Sequence, residues 1–338
     1  MADLAVGVIG AGGMGARHAL NLHHHVVGAR VAAIYDLDQR RAQQVAATCG
    51  APQVFDDPLQ LIEDDHVDAV VIASPDATHV EYVLHCLRHR KPMLCEKPLA
   101  ITAADALRIV EAECALDRRL VAVGFMRRFD PQHLAVRNAV EAGQIGRALL
   151  FKGVHRNAVV APTTSGAMVI TSSASHDIDA ARWLLGQEIE EVYVCGVRTR
   201  ATFSEQTRDL LLLQMALRDD RLATVEVFVA AEYGYEVGAE IVGERGTAVT
   251  MQPAGALVRA QAARSVAVPL DWIERFQPAY VAELQAWIDA LCTGQVFPGA
   301  DAWDGYMSLL VIDACIRSLH EGTPVAVPTP ARPDFYSI

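Results

Sequence analysis

The sequence predicts an α/β domain with a parallel sheet, followed by an α+β domain with an open, mostly antiparallel sheet. Over roughly the first 120 residues, apolar runs alternate with helical patterns, as parallel strands with crossover helices do. After Phe125, period-two apolar segments follow one another across turns, which is typical of antiparallel strands. We expect domains at 1–124 and 125–338, with the helix near 302–321 able to pack back on the first domain.

The first domain has predicted strands in five apolar segments: AVGVI (5–9), RVAAIYD (30–36), DAVVIAS (68–74), PMLCEK (92–97) and LVAVGF (120–125). Predicted helices lie between them at 15–22, 40–49, 78–89 and 103–116. The second domain has predicted helices at 131–142, around His176, at 279–293 and at 302–321. Its predicted strands are EVYVCGV, LLLQMAL, LATVEVFVA, EVGAEIVG and GTAVTM. In an open parallel sheet, ligands bind at the carboxyl ends of the strands.

A glycine motif marks the first of those strand ends. The segment GAGGMG (10–15) follows the AVGVI strand and has the spacing GxGxxG, with Gly10, Gly12 and Gly15 at the glycine positions and Met14 between them. Such glycines permit a tight turn, close approach of a pyrophosphate and close packing of the next helix. The context therefore predicts a Rossmann dinucleotide-binding domain.

Asp36 indicates which dinucleotide is bound. It ends the second strand, where a carboxylate accepts hydrogen bonds from the adenosine ribose and repels a 2′-phosphate. This favours NAD over NADP. Arg40 and Arg41 keep that preference modest, since a nearby arginine could reach a 2′-phosphate.

Composition excludes several classes of function. With 52% apolar residues but no uninterrupted apolar run of the ~18 residues that a membrane span needs, no transmembrane helix is expected. The N-terminus lacks a basic leader, which predicts a cytoplasmic location. A net charge of -12 without a basic cluster gives no footprint for nucleic acid or anionic lipid.

The cysteine and histidine patterns in the sequence predict no metal site. The seven cysteines are scattered without a CxxC pair, which suits reduced, mostly buried thiols. The run His23-His24-His25 is predicted to be a solvated helix end, because consecutive helical residues point in different directions.

Several motifs together resemble the glucose-fructose oxidoreductase/inositol dehydrogenase (Gfo/Idh/MocA) family, and its inositol dehydrogenases most. The motifs extend through nearly the whole chain: GxGxxG with Asp36, SPDATH (74–79), CEKP (95–98), GFMRRFD (124–130), GVHRN (153–157), YGYEVGAEIVGERG (233–246) and AWDGYMSLLVIDAC (302–315). The strand ends carrying Ser74, Pro75, His79, Glu96 and Lys97 should line the nicotinamide half of the cofactor site.

The resemblance implies NAD-dependent oxidation of a ring hydroxyl on a cyclitol, such as myo-inositol or a related inositol or amino-cyclitol, by a homotetramer. Lys97 and His176 would act at the reacting alcohol, His176 as the base. The residues implied to contact this small polyol are Arg127, His155, Asn157, Ser172, His176, Tyr235, Trp272 and Tyr280. The apolar segments VEVFVAA and EIVG favour an oligomer through the second-domain sheet.

The sequence departs from the family pattern at Ser172, where inositol dehydrogenases commonly carry aspartate four residues before the histidine. A serine adds no charge, so His176 would be a weaker base unless Asp177 or Asp179 substitutes. In the alternative interpretation, Ser172 or Ser173 is a helix N-cap. Likewise, His176 could be structural, Lys97 could be a surface lysine, and Trp272 and Tyr280 could be core or interface residues.

Three other activities remain open from the sequence. The first is a pyranose-sugar dehydrogenase of the same family, and the second is a non-catalytic, NAD-binding sugar sensor, which the missing acid at Ser172 would suit. The third is redox-assisted glycoside hydrolysis with tightly held NAD.

Overall fold

The computed structural model describes residues 3–251 and 257–337, which form two compact units. The first unit runs to Phe129 and adds Ala279–Leu309 and the segment from Ala331 onward. The second unit is built from Asp130–Pro278 and Leu310–Pro330. None of the described helices has both the length and the hydropathy needed to cross a membrane.

The first unit contains a seven-stranded sheet of order β15-β6-β5-β4-β1-β2-β3, parallel except for β15. Its strands are β1 (Leu4–Ile9), β2 (Ala29–Tyr35), β3 (Gln53–Phe55), β4 (Ala69–Ile72), β5 (Met93–Glu96), β6 (Val121–Gly124) and β15 (Ala300–Asp301). Its helices are α1 (Gly13–His24), α2 (Gln39–Cys49), α3 (Pro58–Glu63), α4 (His79–Arg88) and α5 (Ala103–Cys114). The five expected strands are confirmed, while the short elements β3, α3 and β15 were not anticipated.

Helix starts in this unit follow from capping side chains. The Asp38 carboxylate accepts hydrogen bonds from the first backbone N–H groups of α2, and Asp57 does the same for α3, where Pro58 occupies the first turn. Thr102 caps α5. Because these caps satisfy otherwise unpaired backbone donors, the sequence defines the helix starts locally.

The core of the first unit includes residues from the far end of the chain. Leu284, Trp287 and Ile288 are buried in the same apolar cluster as Val6 and Leu94. Their burial explains why residues 279–309 belong to the first unit. A single division of the chain after residue 124 does not describe this return of the chain to the first unit.

The second unit contains a seven-stranded sheet of order β12-β11-β7-β10-β9-β8-β16, in which only the β7–β10 pair is parallel. The predicted open, mostly antiparallel sheet is confirmed. Its strands are β7 (Ala148–Arg156), β8 (Ile189–Val197), β9 (Leu210–Leu217), β10 (Arg221–Phe228), β11 (Glu236–Gly243), β12 (Thr247–Val249) and β16 (Val325–Ala326). A separate exposed hairpin pairs β13 (Val258–Ala260) with β14 (Ala263–Ser265).

The remaining helices are α6 (Pro131–Glu141), α7 (Gly166–Val169), α8 (Ser175–Leu185), α9 (Trp272–Thr293) and α10 (Ala302–Glu321). The start expected at 279 is wrong, because α9 begins at Trp272 and contains Pro278. A proline favours the first turn of a helix, which makes the sequence pattern suggest a later start. All seven cysteines are free, and Cys49, Cys86, Cys95 and Cys315 are buried as expected.

A buried ionic cluster stabilises the second unit around Asp130, which caps α6. Its carboxylate lies 2.6 Å from His133 Nδ1 and accepts hydrogen bonds from the Arg275 guanidinium at 2.7 and 3.1 Å. Burial opposes ionisation of Asp130, but the hydrogen bonds and charges of His133 and Arg275 outweigh it and hold its pKa well below the usual range. Asp130 therefore stays charged in the folded protein.

We expect Asp130→Asn to lower the free energy of unfolding by about 3 kcal/mol, because it leaves the buried Arg275 without its counter-charge. Because the folded-state pKa of Asp130 is depressed, its stabilising effect is present above the unfolded pKa of about 3.9 and is lost as pH falls through the folded pKa. Urea unfolding at neutral and acidic pH measures both effects. Asp117→Asn is the matched control, since its pair with Arg90 is exposed and solvent screening should leave it contributing little to stability. Equal losses for the two variants would contradict the prediction.

Candidate active site

The glycine loop after β1 has the geometry of a dinucleotide site. Gly10 has φ +95°, and a Cβ there would lie 2.5 Å from the carbonyl oxygen of Ala73. A Cβ on Gly15 would lie 1.7 Å from the carbonyl oxygen of Gly10, so both positions exclude a side chain. At Gly12, the N-cap of α1, a Cβ would meet nothing within 4 Å. The loop thus leaves space beside a helix N-terminus, which fits a diphosphate group.

Asp36 is nearly buried beyond the end of β2 and is hydrogen-bonded to the glycine loop. Its Oδ2 accepts from the Ala11 N–H at 2.6 Å, and its Oδ1 accepts from the Asp38 N–H and from Arg41. Burial raises its pKa, but these hydrogen bonds and the Arg41 charge outweigh burial and lower it. The carboxylate is therefore ionised and able to accept from ribose hydroxyls. Arg41, rather than Arg40, contacts it, although both side chains are exposed.

His79 holds two strand-end loops together. It is fully buried, with Nδ1 2.7 Å from the carbonyl oxygen of Pro98 and Nε2 3.0 Å from that of Ser74. Ser74 also places its hydroxyl 2.7 Å from Thr78 Oγ1, and the Pro75 carbonyl accepts from Thr78. Since both ring nitrogens face backbone oxygens, His79 supports Ser74 and Pro75 from within the unit.

Glu96 and Lys97 follow one another at the end of β5. Glu96 is buried; its Oε1 lies 2.7 Å from His18 Nε2, and its Oε2 accepts from the Lys97 N–H at 3.2 Å. Burial opposes ionisation of Glu96, but His18 and Lys97 outweigh it and lower its pKa. His18, on α1, was not among the expected site residues, and a lone histidine within a helical pattern gave no signal for it.

Burial lowers the pKa of Lys97, and the positive charge of Arg127 lowers it further, while Glu96 and Asp76 oppose the shift. The Lys97–Pro98 peptide bond is cis. Arg127 is 2% exposed and lies in a short 3₁₀ turn, Met126–Phe129. Lys97 is thus a partly buried amine whose neighbours tune its proton affinity, unlike an ordinary surface lysine.

Arg128 and Tyr280 are two further buried residues of the first unit. Arg128 donates to Asp304 at 2.9 Å, which joins the GFMRRFD and AWDGYM motifs through a buried ion pair. Tyr280 is buried, and its ring meets that of His18 edge-on with the ring centroids 5.9 Å apart. Tyr280 therefore packs beside the histidine that contacts Glu96.

In the second unit, His155 on β7 pairs with Asp177 on α8, with 3.0 Å between His155 Nδ1 and Asp177 Oδ2. Both side chains are buried. A Cβ on Gly153 would lie 3.2 Å from Asp177 Oδ1 and 2.9 Å from the Phe151 ring, so the glycine leaves room for this pair. The Tyr235 ring meets the imidazole of His155 edge-on at 5.8 Å. Sequence reasoning considered Asp177 only as a helper of His176.

A π-helical turn, Ile170–Ala174, precedes the helix that carries His176. Ser172 is exposed and donates its hydroxyl to the Met168 carbonyl at 2.7 Å. The capping interpretation is wrong: Ala174 is the N-cap of α8, with no side-chain hydrogen bond, and Ser173 lies 3.4 Å from the Asn157 amide nitrogen. The wide turn also means that Ser172 and His176 do not share a regular α-helical i, i+4 spacing.

His176 and Trp272 are the two remaining residues expected at the substrate site, and their side chains differ in burial. His176 is 9% exposed, at the first turn of α8. Trp272 is the first residue of α9 and is partly buried. Their roles toward a substrate stay predictions.

Comparisons with known proteins cover both units. Residues 4–125 match the model of an oxidoreductase family with an NAD-binding Rossmann fold, and residues 137–327 match the α/β C-terminal domain of the same family, Gfo/Idh/MocA. An inositol 2-dehydrogenase from Rubrobacter xylanophilus is 52% identical over 98% of this chain and 96% of its own length. One from Klebsiella pneumoniae is 38% identical over 99% of both chains.

Solved structures agree with these matches. The myo-inositol dehydrogenase of Lactobacillus casei, in complex with NAD(H) and myo-inositol, superposes with a TM-score of 0.95 at 34% identity over 99% of both chains. A probable dehydrogenase from Thermotoga maritima gives 0.88 at 28% identity over 96% of this chain and 98% of its own. The predicted family and the predicted NAD cofactor are confirmed: the protein is an NAD-dependent oxidoreductase of the Gfo/Idh/MocA family.

Proposed function

We propose that this enzyme oxidises a ring hydroxyl of a cyclitol, myo-inositol or a related inositol or amino-cyclitol, to the ketone. The observation that carries the proposal is the partly buried Lys97 at a strand end of the unit that holds the glycine loop and Asp36. A reacting alcohol needs such a charged group close to the dinucleotide. The full-length likeness to inositol dehydrogenases supports the choice of substrate class.

Alcohol oxidation requires a base and a group that stabilises developing negative charge. NAD, when bound, supplies the nicotinamide that accepts the hydride. In this proposal His176 removes the hydroxyl proton, and the Lys97 ammonium stabilises the alkoxide. The lowered pKa of Lys97 also lets it release a proton more readily than an ordinary lysine.

The proposed substrate contacts suit a ring with polar edges and apolar C–H faces. Arg127, His155 and Asn157 would bond hydroxyls, while the aromatic rings would cover the faces: Tyr235, Trp272 and Tyr280. His155 is prepared for this role by Asp177. The Asp177 carboxylate lies 3.0 Å from His155 Nδ1 and would hold the imidazole ring in a fixed orientation toward a substrate hydroxyl.

Ser172 leaves the base without the acid that the family commonly provides at this position. Asp177 is engaged by His155, so it is not a simple replacement. The Ser172 hydroxyl donates to a backbone carbonyl, and its oxygen can still accept a hydrogen bond from a ligand. We propose that the site works with a weaker base and that Ser172 adjusts pH dependence or substrate preference.

The proposed activity predicts NADH formation from at least one cyclitol in a panel of myo-, scyllo- and chiro-inositol, an amino-cyclitol and glucose, with NAD preferred over NADP. Lys97→Met and His176→Gln should each lower kcat by about 100- to 10,000-fold, because each removes a group that acts in the transition state. Absorbance of the reduced cofactor is the readout, and the thermal unfolding of each variant without cofactor is the folding control.

Other results would select the alternatives. Turnover of glucose alone would indicate a sugar dehydrogenase, and tight NAD binding without turnover of any polyol would indicate a sensor. Release of a reducing sugar from a glycoside without net NADH would indicate redox-assisted hydrolysis. Each of these results would contradict the cyclitol proposal.

We expect Ser172→Asp to move the acidic limb of the kcat/KM profile to higher pH, because a negative charge four residues before the proposed base would favour the protonated form of His176. Ser172→Ala is the control, since it removes the Met168 hydrogen bond without adding charge. Profiles measured with the best substrate of the panel decide the point. An acidic limb that shifts equally in both variants would argue against an electrostatic effect.

We further propose that the protein acts as a cytoplasmic homotetramer. The apolar residues first expected to favour assembly, such as Val225, Val227 and Ile241, are buried within the chain. Support comes instead from the exposed Leu212 and Leu222 of the same sheet. Light scattering of the purified protein should give about four times the 36.6 kDa chain mass. A monomer mass would refute the assembly without affecting the proposed chemistry.

A further inference from the structure

We propose that Glu63, His85 and His89 form a surface site for a divalent transition-metal ion, with Zn²⁺ as the best match. Glu63 ends α3, His85 lies in the last turn of α4, and His89 caps that helix. One ligand atom from each of the three side chains lies within 4.8 Å of the other two. The cluster is independent of the cofactor residues and of the proposed function.

The spacing of the two histidines places them on one helix face. Residues four apart on a helix are neighbours, and the two imidazole rings have centroids 4.6 Å apart at an interplanar angle of 33°. The Nε2 atom of each ring faces the same Glu63 oxygen. Two imidazole nitrogens and one carboxylate oxygen are a ligand set that zinc prefers.

The distances are close to those of a coordinated ion. Glu63 Oε1 lies 2.9 Å from His85 Nε2 and 3.8 Å from His89 Nε2. Zinc bonds of about 2.0–2.1 Å in a tetrahedron separate neighbouring ligand atoms by roughly 3.3 Å. The observed distances lie on either side of that value, so small side-chain rotations would suffice. Three protein ligands would leave the fourth position for water.

Burial and charge also suit the site. His85 has 14% of its side chain exposed, while Glu63 and His89 have 49% and 40% exposed, so an ion can enter from solvent and meets one well-held ligand. The acidic residues Asp64 and Asp65 follow Glu63 and add negative charge nearby. Arg88, Arg90 and Lys91 are the cations nearby in sequence. Arg90 pairs with Asp117, and Lys91 donates to the carbonyl oxygens of Asp64 and Val67.

The site would join the carboxyl-terminal ends of α3 and α4. A ligand that binds only the folded state stabilises it in proportion to the logarithm of ligand concentration over Kd. Metal binding should therefore raise the unfolding temperature of the protein. The effect should be larger at neutral than at acidic pH, because the ligand nitrogens must be unprotonated to bind.

Calorimetric titration of the chelator-treated full chain with zinc chloride tests the proposal. We expect one equivalent bound per chain, together with a higher unfolding temperature. His85→Gln and His89→Gln should each weaken binding by about tenfold or more, since each removes one of three protein ligands. Glutamine keeps a hydrogen-bond donor toward Glu63, and unfolding of both variants without metal shows whether they are folded.

Two controls separate this site from other histidines. His66→Gln removes an exposed histidine that contacts Asp64 but lies outside the cluster, and it should leave zinc affinity unchanged. Replacement of His23, His24 and His25 together by glutamine should also leave the single equivalent in place. Zinc affinity that is unaffected by His85→Gln, or lost only when the triplet is replaced, would overturn the assignment.

Discussion

The cofactor-binding unit depends on the hydrogen bonds of the buried Glu96 carboxylate. This carboxylate contacts His18, on the helix that begins at the glycine loop, and it accepts from the backbone of Lys97, at the proposed reaction site. A Cβ on Gly124 would lie 3.1 Å from Glu96, so the neighbouring strand leaves room for the charge. One buried acid thereby links the glycine-loop helix, strand β5 and the lysine. A neutral residue there would leave the position of Lys97 to weaker contacts.

The second unit also contains a buried carboxylate paired with a histidine, Asp177 with His155. Asp177 is a buried acid that holds the orientation of His155, and Gly153 is the small residue that makes space for it. The π-helical turn before α8 widens the helix where Ser172 stands. In each unit a buried carboxylate contacts the imidazole of a histidine.

Features that depend on local sequence could be predicted. Features that depend on contacts between residues far apart in the chain could not. The glycine loop and Asp36 follow from spacing after a strand, and most strands follow from apolar patterning, whereas β7 and the short strands β3, β15 and β16 were not predicted. The pairs His18–Glu96 and His155–Asp177 join residues 78 and 22 positions apart, so no local pattern reveals them. The sequence pattern predicts too late a start for α9, because proline favours the first turn of a helix and Pro278 lies inside this one.

The two tasks of Asp36 limit how the enzyme can change its coenzyme. In the predicted NAD site this residue would distinguish ribose from its phosphate ester, and its oxygens also accept hydrogen bonds from the glycine loop at Ala11 and from the next turn at Asp38. A substitution chosen only to admit the phosphate would release that loop as well. Coenzyme redesign therefore requires a compensating acceptor for the Ala11 N–H, and evolution toward NADP would have to pass through variants with a loosened diphosphate site.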